Sequence, residues 1–343
     1  MSENRTELES LGEFGLIDHL TKQFENRNSS TLVGIGDDAA VVSISETEAQ
    51  LISTDMLIEG VHFNLMYMPL KHLGYKAVAV NVSDICAMNA VAEQITVSIA
   101  VSNRFPIEAL EELYEGINTA CKVYNVDLIG GDTSTSMSGM TISITAIGRS
   151  KKTNISYRSG AKENDILIAT GDLGAAYMGL QVLEREKEVY NANPAIQPDL
   201  DGHDYVIERQ LKPEARVDVI RFLKELDVVP TAMIDISDGL ASEIMHICKS
   251  SEVGCHIYDE KIPIDAKTSM TAIDFNLDPV TCALNGGEDY ELLFTIKQED
   301  FDKIKGNPHM TPIGHITHKN DGMYYIDKSG SAIELQAQGW NHF

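Results

Sequence analysis

Runs rich in valine, isoleucine and threonine over residues 50–54, 94–102 and 140–147 predict half-buried strands. Between the last two, Ile107, Leu110, Leu113, Ile117, Ala120 and Tyr124 recur at helical spacing just after Pro106, whose fixed φ suits a helix entry. That segment reads as a βαβ-like unit. A second helix is predicted over 70–88, where Leu73, Ala77, Val80 and Asp84 share one face and tie an aspartate to the buried side. The basic, polar stretch GRSKKTNISYRSGAKENDIL has no apolar periodicity and puts a domain boundary near Ser150. This gives an N-terminal α/β domain over 1–149 and a C-terminal α/β domain over 150–343. The second domain opens with a strand over 166–170, a turn over 171–174 and a helix over 175–183. It repeats the strand-to-helix switch at MIDISDGLASEIMHI, and NANPAIQPDLDGHDY, full of turn residues, reads as a surface loop.

Composition narrows the class. A chain of 343 residues exceeds one typical core, and 43% hydrophobic residues suffice to fill two. No apolar run approaches the roughly 20 residues of a membrane span, and MSENRTELES lacks the basic and apolar regions of a signal peptide, so a cytoplasmic protein without membrane association is expected. The five cysteines are scattered, with no CxxC pair, and read as reduced core or near-core thiols. A net charge of -25 argues against nucleic-acid binding, which needs a positive surface, and suits cations.

Five segments set aspartates among small residues beside apolar runs: GIGDDAA, LISTDMLIEGVH, VNVSDICA, LIGGDTS and MIDISDGLASE. Apolar runs end at rigid edges, so carboxylates there can converge on one crevice as hard oxygen ligands for Mg²⁺. Each segment also has a bland reading: an Asx turn at Asp37-Asp38, capping at Ser53-Thr54-Asp55, a solvated helical Asp84, a hairpin turn at Gly130 to Thr133. In the last segment Ser237 or Asp238 can cap the helix that follows, whereas Asp235 has no capping duty. The chain lacks GxxxxGK[ST] and the protein-kinase HRD and DFG set, so phosphate charge must be met by metal ions. Phosphoryl transfer is mostly positioning and electrostatic screening, which clustered aspartates holding several Mg²⁺ ions supply.

Taken in order, LGEFGLI, GIGDDAA, STDMLIEGVHF, NVSDICAMNA, LIGGDTS, RSGA, IDISDGL and GGEDYELLF, with the closing GWNHF, resemble thiamine-monophosphate kinases of the aminoimidazole ribonucleotide synthetase superfamily. The resemblance implies ATP-dependent phosphorylation of thiamine monophosphate to thiamine diphosphate, with several Mg²⁺ ions. It implies two α/β (α+β) domains in a homodimer, with N-terminal strands of both subunits joined in one barrel. Carried over by motif, Asp38, Ser53, Thr54, Asp55, Asp84, Asp132, Asp235 and Asp238 would hold metal, with Asp37 a secondary candidate. Tyr114, Gly131, Asp132, Arg158 and Ser237 would contact ATP, and His62, Glu288 and Trp340 the substrate. Trp340 can stack on a cationic aromatic ring and Glu288 answer its charge. No protein base is expected, because an ionised phosphate oxygen needs no deprotonation before attack. The chain departs from the resemblance at Gly174-Ala175-Ala176, where Gly-Asp-Ser is common. Two other readings stay open: a relative that activates a carbamoyl or amidine oxygen with ATP, and an acidic metal-binding interaction protein without turnover. A selenophosphate synthetase is disfavoured, since no reactive cysteine lies in the N-terminal glycine-rich region.

Overall fold

The computed structural model describes residues 12–337; Trp340 and the GWNHF ending lie outside them. After α1 (Gly12–Thr21), a first sheet collects β1 (Thr31–Val33), β2 (Ala40–Ser43), β3 (Glu48–Ile58), β4 (Val91–Val101), β5 (Asp127–Thr135) and β6 (Met140–Lys151) in the order β1-β2-β3-β6-β4-β5. Helices α2 (Leu70–Ala87) and α3 (Ile107–Tyr124) pack on it. The predicted strands and helices form here, with strands running longer at their ends.

The βαβ unit closes differently from the expectation. Strands β4 and β5 are parallel across α3, whereas β6 returns antiparallel between β4 and β3. Gly130 to Thr133, which on one reading form a hairpin turn, therefore lie inside β5. Gly131 opposes Val97, and a Cβ on it would stand 1.8 Å from the Val97 carbonyl oxygen, so glycine here serves close strand approach rather than a turn.

A second sheet follows from β7 (Ile166–Thr170), β8 (Ala232–Ile236), β9 (Gly254–Tyr258), β10 (Glu291–Ile296), β11 (Met310–Thr317), β12 (Met323–Ile326) and β13 (Ala332–Glu334), ordered β13-β12-β9-β11-β7-β10-β8. Its helices are α4 (Ala175–Ala192), α5 (Asp204–Leu211), α6 (Val217–Glu225), α7 (Leu240–Ser251), α8 (Ala266–Asp274), α9 (Pro279–Asn285) and α10 (Phe301–Ile304). The architecture is thus mixed α/β on two sheets. Helix α4 continues past its expected end at 183, through the charged residues Glu184 to Glu188, because propensity carries a helix beyond its apolar stripe.

Helix α2 is the hub. Apolar or small on nearly every side, it is buried almost throughout, as such a helix must be. It touches β3 and β6 of the first sheet and β8 and β10 of the second. Its crossing with α3 depends on two glycines: a Cβ at Gly74 would meet the Leu113 carbonyl oxygen at 2.0 Å, and one at Gly116 the Lys71 carbonyl oxygen at 1.9 Å. Leu73, Ile85, Ile95, Leu113, Ile142 and Phe294 fill the interior around it, each contributing about 2 kcal/mol by burial. Leu167, Ile234, Ile244 and Ile257 build a second cluster under α7. All five cysteines are free; Cys121 is half-buried and the rest buried. No helix among the described residues is long and apolar enough to cross a membrane.

Candidate active site

Four of the polar side chains on α2, Lys76, Asn81, Ser83 and Asp84, each hold part of one crevice of about 1410 Å³. Asp84 accepts a short hydrogen bond from Ser53 on β3. Ser83 Oγ donates to Asp235 Oδ2 on β8 at 2.5 Å. Asn81 accepts from the Asp55 backbone N–H at 3.0 Å while its own amide donates to the Ala77 carbonyl at 2.9 Å. Lys76, fully buried, reaches Glu288 Oε1 at 2.8 Å. One rigid helix therefore ties β3, β8 and the segment before β10 to a common point.

At that point one carboxylate oxygen from each of Asp38, Asp84 and Asp235 lies within 4.8 Å of the other two. Strand alternation puts Ser53 and Asp55 on one face of β3; Thr54 lines the crevice as well, its hydroxyl donating to the Ile144 carbonyl oxygen at 3.1 Å. Burial, then Asp55, Asp235 and Asp38, hold the Asp84 carboxyl well above the ordinary carboxylate range. Burial and Asp38 push Asp235 up to about 7, despite the hydrogen bond from Ser83. Burial raises Asp38 as well, against the opposing pull of Arg158.

Arg158, from the linking stretch, donates to Asp38 Oδ1 through Nη2 at 2.6 Å and Nε at 3.2 Å. Its backbone N–H is held by Asp37, with oxygens at 3.2 and 3.3 Å. Asp37 thus orients the arginine loop, and burial together with Asp38 pushes it up to about 7.

On the opposite wall, Ser237 and Asp238 follow β8. Neither side chain caps α7; Gly239 takes the cap position at φ 119°, and the buried Glu243 reaches back instead. Its Oε1 accepts the backbone N–H of Ser237 at 3.1 Å and of Asp238 at 2.8 Å. Gly287 packs on the same loop, where a Cβ would meet the Ser237 carbonyl oxygen at 2.3 Å. The departure at Gly174-Ala175-Ala176 is also filled from elsewhere: Asp289 accepts the N–H of Gly174 at 2.7 Å and of Ala176 at 3.3 Å, supplying the helix entry with a carboxylate. His62 lines the crevice mouth, its Nδ1 accepting the Ile58 N–H at 3.0 Å.

A family model described as "AIR synthase related protein, N-terminal domain" matches residues 36–150. The thiamine-monophosphate kinase of Bacillus subtilis is 34% identical over 338 residues, covering 97% of this chain and 100% of its own. The chain belongs to the thiamine-monophosphate kinase family. That of Aquifex aeolicus is 33% identical over 338 residues, covering 98% and 99%. Among solved structures, AaThiL complexed with AMPPCP and TMP superposes with a TM-score of 0.85 at 31% identity, over 99% of this chain and 100% of that one. The resemblance in the sequence motifs is borne out, and the family is one of kinases.

Within this family member the folded chain brings Asp38, Ser53, Thr54, Asp55, Asp84, Arg158, Asp235, Ser237, Asp238, His62 and Glu288 to one crevice. It places Asp132 and Gly131 elsewhere, on β5, whose nine residues are all exposed at the sheet edge. Tyr114 lies half-buried beside them, lining a separate hollow of about 400 Å³ with Asn118, Lys122 and Asp127. Sequence reasoning passed over Lys76, Asn81, Ser83 and Glu243. A signal existed: polar residues on an otherwise apolar, buried helix are rarely there without partners.

The donor set suits a hard divalent cation. Three mutually repelling carboxylates share a small volume, and Asp38 Oδ2 is buried without a hydrogen-bond partner among the described residues. The raised carboxyls carry a pH consequence. Folded values above the unfolded one mean that the stabilising, protonated form is complete below about pH 4 and is lost as pH rises toward 7. In a chelator, the melting temperature is therefore expected to fall between about pH 5 and pH 7.5. Added Mg²⁺ should raise it more at the upper pH than at the lower, as scanning fluorimetry would read.

Proposed function

We propose that this chain transfers the γ-phosphoryl group of ATP to the phosphate of thiamine monophosphate, giving thiamine diphosphate and ADP. The observation that carries the reading is the convergence of Asp38, Asp84 and Asp235 on one crevice, in a chain whose relatives are kinases of this type. The crevice exceeds the roughly 300–1,000 Å³ of a usual single-ligand site, which suits two substrates side by side. The relative solved with AMPPCP and TMP holds two such molecules on the same fold.

Asp38, Ser53, Thr54, Asp55, Asp84, Asp132, Asp235 and Asp238 would hold several Mg²⁺ ions, which screen the phosphate oxygens and draw charge from the leaving group when bound. Arg158, fixed by Asp37 and Asp38, presents its remaining N–H groups to nucleotide phosphate. The loop of Ser237 and Asp238, pinned by Glu243, lies beside the start of α7, where free N–H groups favour an anion. His62, Glu288 and Trp340 would receive the thiamine part. No side chain need act as base, because the acceptor phosphate oxygen is already ionised; transfer is direct and in line, without a covalent intermediate.

In this reading 1–149 and 150–343 act as two domains closing on the crevice, and the working unit is a homodimer. Strand β5 ends the first sheet as a fully exposed edge carrying Leu128 and Ile129, a surface that calls for cover. Pairing through the N-terminal strands would bring Tyr114, Gly131 and Asp132 of one subunit to the crevice of the other.

The test is incubation of the protein with ATP, Mg²⁺ and thiamine monophosphate, followed by chromatography. Thiamine diphosphate and ADP in equal amounts are expected. ADP with free phosphate and no thiamine diphosphate would favour a different acceptor, and no nucleotide turnover at all would favour a metal-binding protein.

A further inference from the structure

We propose that Lys76 is a positioning residue for the acceptor substrate, acting through Glu288; this rests on the kinase reading above. Lys76 is wholly buried, a rare state for lysine that persists only where its charge is matched. Its ammonium has two partners: Glu288 Oε1 at 2.8 Å and the Gln210 carbonyl at 3.3 Å. Gln210 in turn donates its side-chain amide to Glu288 Oε2 at 2.7 Å. Both carboxylate oxygens are thereby gripped from behind, one by α2 and one by α5, while the side chain stays 28% exposed toward the crevice. The backbone is held too, with Glu288 at φ 66° and its N–H donating to the Ser237 carbonyl at 2.7 Å.

Two consequences follow. First, the Glu288 charge is already answered by Lys76, so the carboxylate meets the substrate as an oriented hydrogen-bond acceptor in a neutral pair. This differs from the expectation that Glu288 serves as counter-ion to the cationic ring. Each carboxylate oxygen has a second lone pair, and the crevice side is where these remain available, suited to an N–H donor on a flat heteroaromatic ring. Second, Lys76 shares α2 with Ser83 and Asp84, so the acceptor end and the metal end of the crevice are set by one helix.

The experiment compares steady-state kinetics of wild type, Lys76→Met, Gln210→Met, Glu288→Gln and the double variant Lys76→Met/Glu288→Gln. If Lys76 acts through Glu288, Lys76→Met should raise KM for thiamine monophosphate by roughly ten-fold or more and leave KM for ATP unchanged. The increment should vanish in the Glu288→Gln background. Gln210→Met should show the same split at smaller size; if Lys76→Met does not fold, Lys76→Gln, which removes the charge but stays polar, takes its place in the same cycle with Glu288→Gln. An unchanged KM for thiamine monophosphate, an equal rise in both KM values, or an increment that persists without the Glu288 carboxylate would overturn the proposal. A wild-type protein that makes no thiamine diphosphate would instead overturn the kinase reading.

Discussion

Asp84→Asn is expected to lower the rate of phosphoryl transfer by roughly a thousand-fold or more while leaving the fold intact, since catalysis of this reaction is dominated by charge screening at the phosphates. Asp84 is the central member of the cluster: its carboxyl feels Asp55, Asp235 and Asp38 together, and Ser53 fixes one oxygen. An asparagine keeps the shape and can keep the Ser53 contact. It removes the charge on which cation binding depends. In the metal-free protein that same charge is a burden, because three carboxylates within 4.8 Å repel one another. The variant should therefore melt at or above the wild-type temperature in chelator, and Mg²⁺ should stabilise it less than it does the wild type. Activity assays beside melting curves with and without Mg²⁺ check both arms. Wild-type turnover in Asp84→Asn would remove the aspartate cluster from the chemistry.

The second large effect concerns Asp132. Asp55 on β3 and Asp132 on β5 are separated by β6 and β4 within one sheet, so a single chain holds them several strands apart. Asp132→Asn alone should nonetheless abolish turnover if the partner subunit supplies this residue. Mixing inactive Asp84→Asn and Asp132→Asn subunits under conditions of exchange should then restore about a quarter of wild-type activity, because half the dimers are mixed and each carries one intact site. If Asp132 served its own chain, every site in the mixture would hold one lesion and no activity would return. Full activity of Asp132→Asn by itself would show that β5 takes no part.

Much of this was legible before any coordinates. Helical spacing over α3, the Val/Ile-rich run of β4 and the short apolar run of β7 are local patterns, and they formed close to the expected bounds. The aspartate motifs were visible as well, since carboxylates among glycines beside apolar runs stand out. Less legible was the fate of Gly130 to Thr133. Glycines next to an aspartate read as a turn, but cross-strand pairing with β4 overrode that local preference and drew them into β5. The start of α7 also differed from the expectation: Gly239 takes the cap position, and Glu243 reaches back to the N–H groups of Ser237 and Asp238.

By itself, then, the chain's order of residues determined where helices and strands form and which oxygen ligands are on offer, because periodicity and turn chemistry act over a few residues. Only the tertiary structure decided which ligands meet and which charges answer them. Asp38 finds Arg158, Glu288 finds Lys76, and Asp84 finds Asp235 across spans that no local pattern encodes. The physical reason is that a buried charge is tolerated only where packing brings it a partner, and packing is settled by the whole fold around α2.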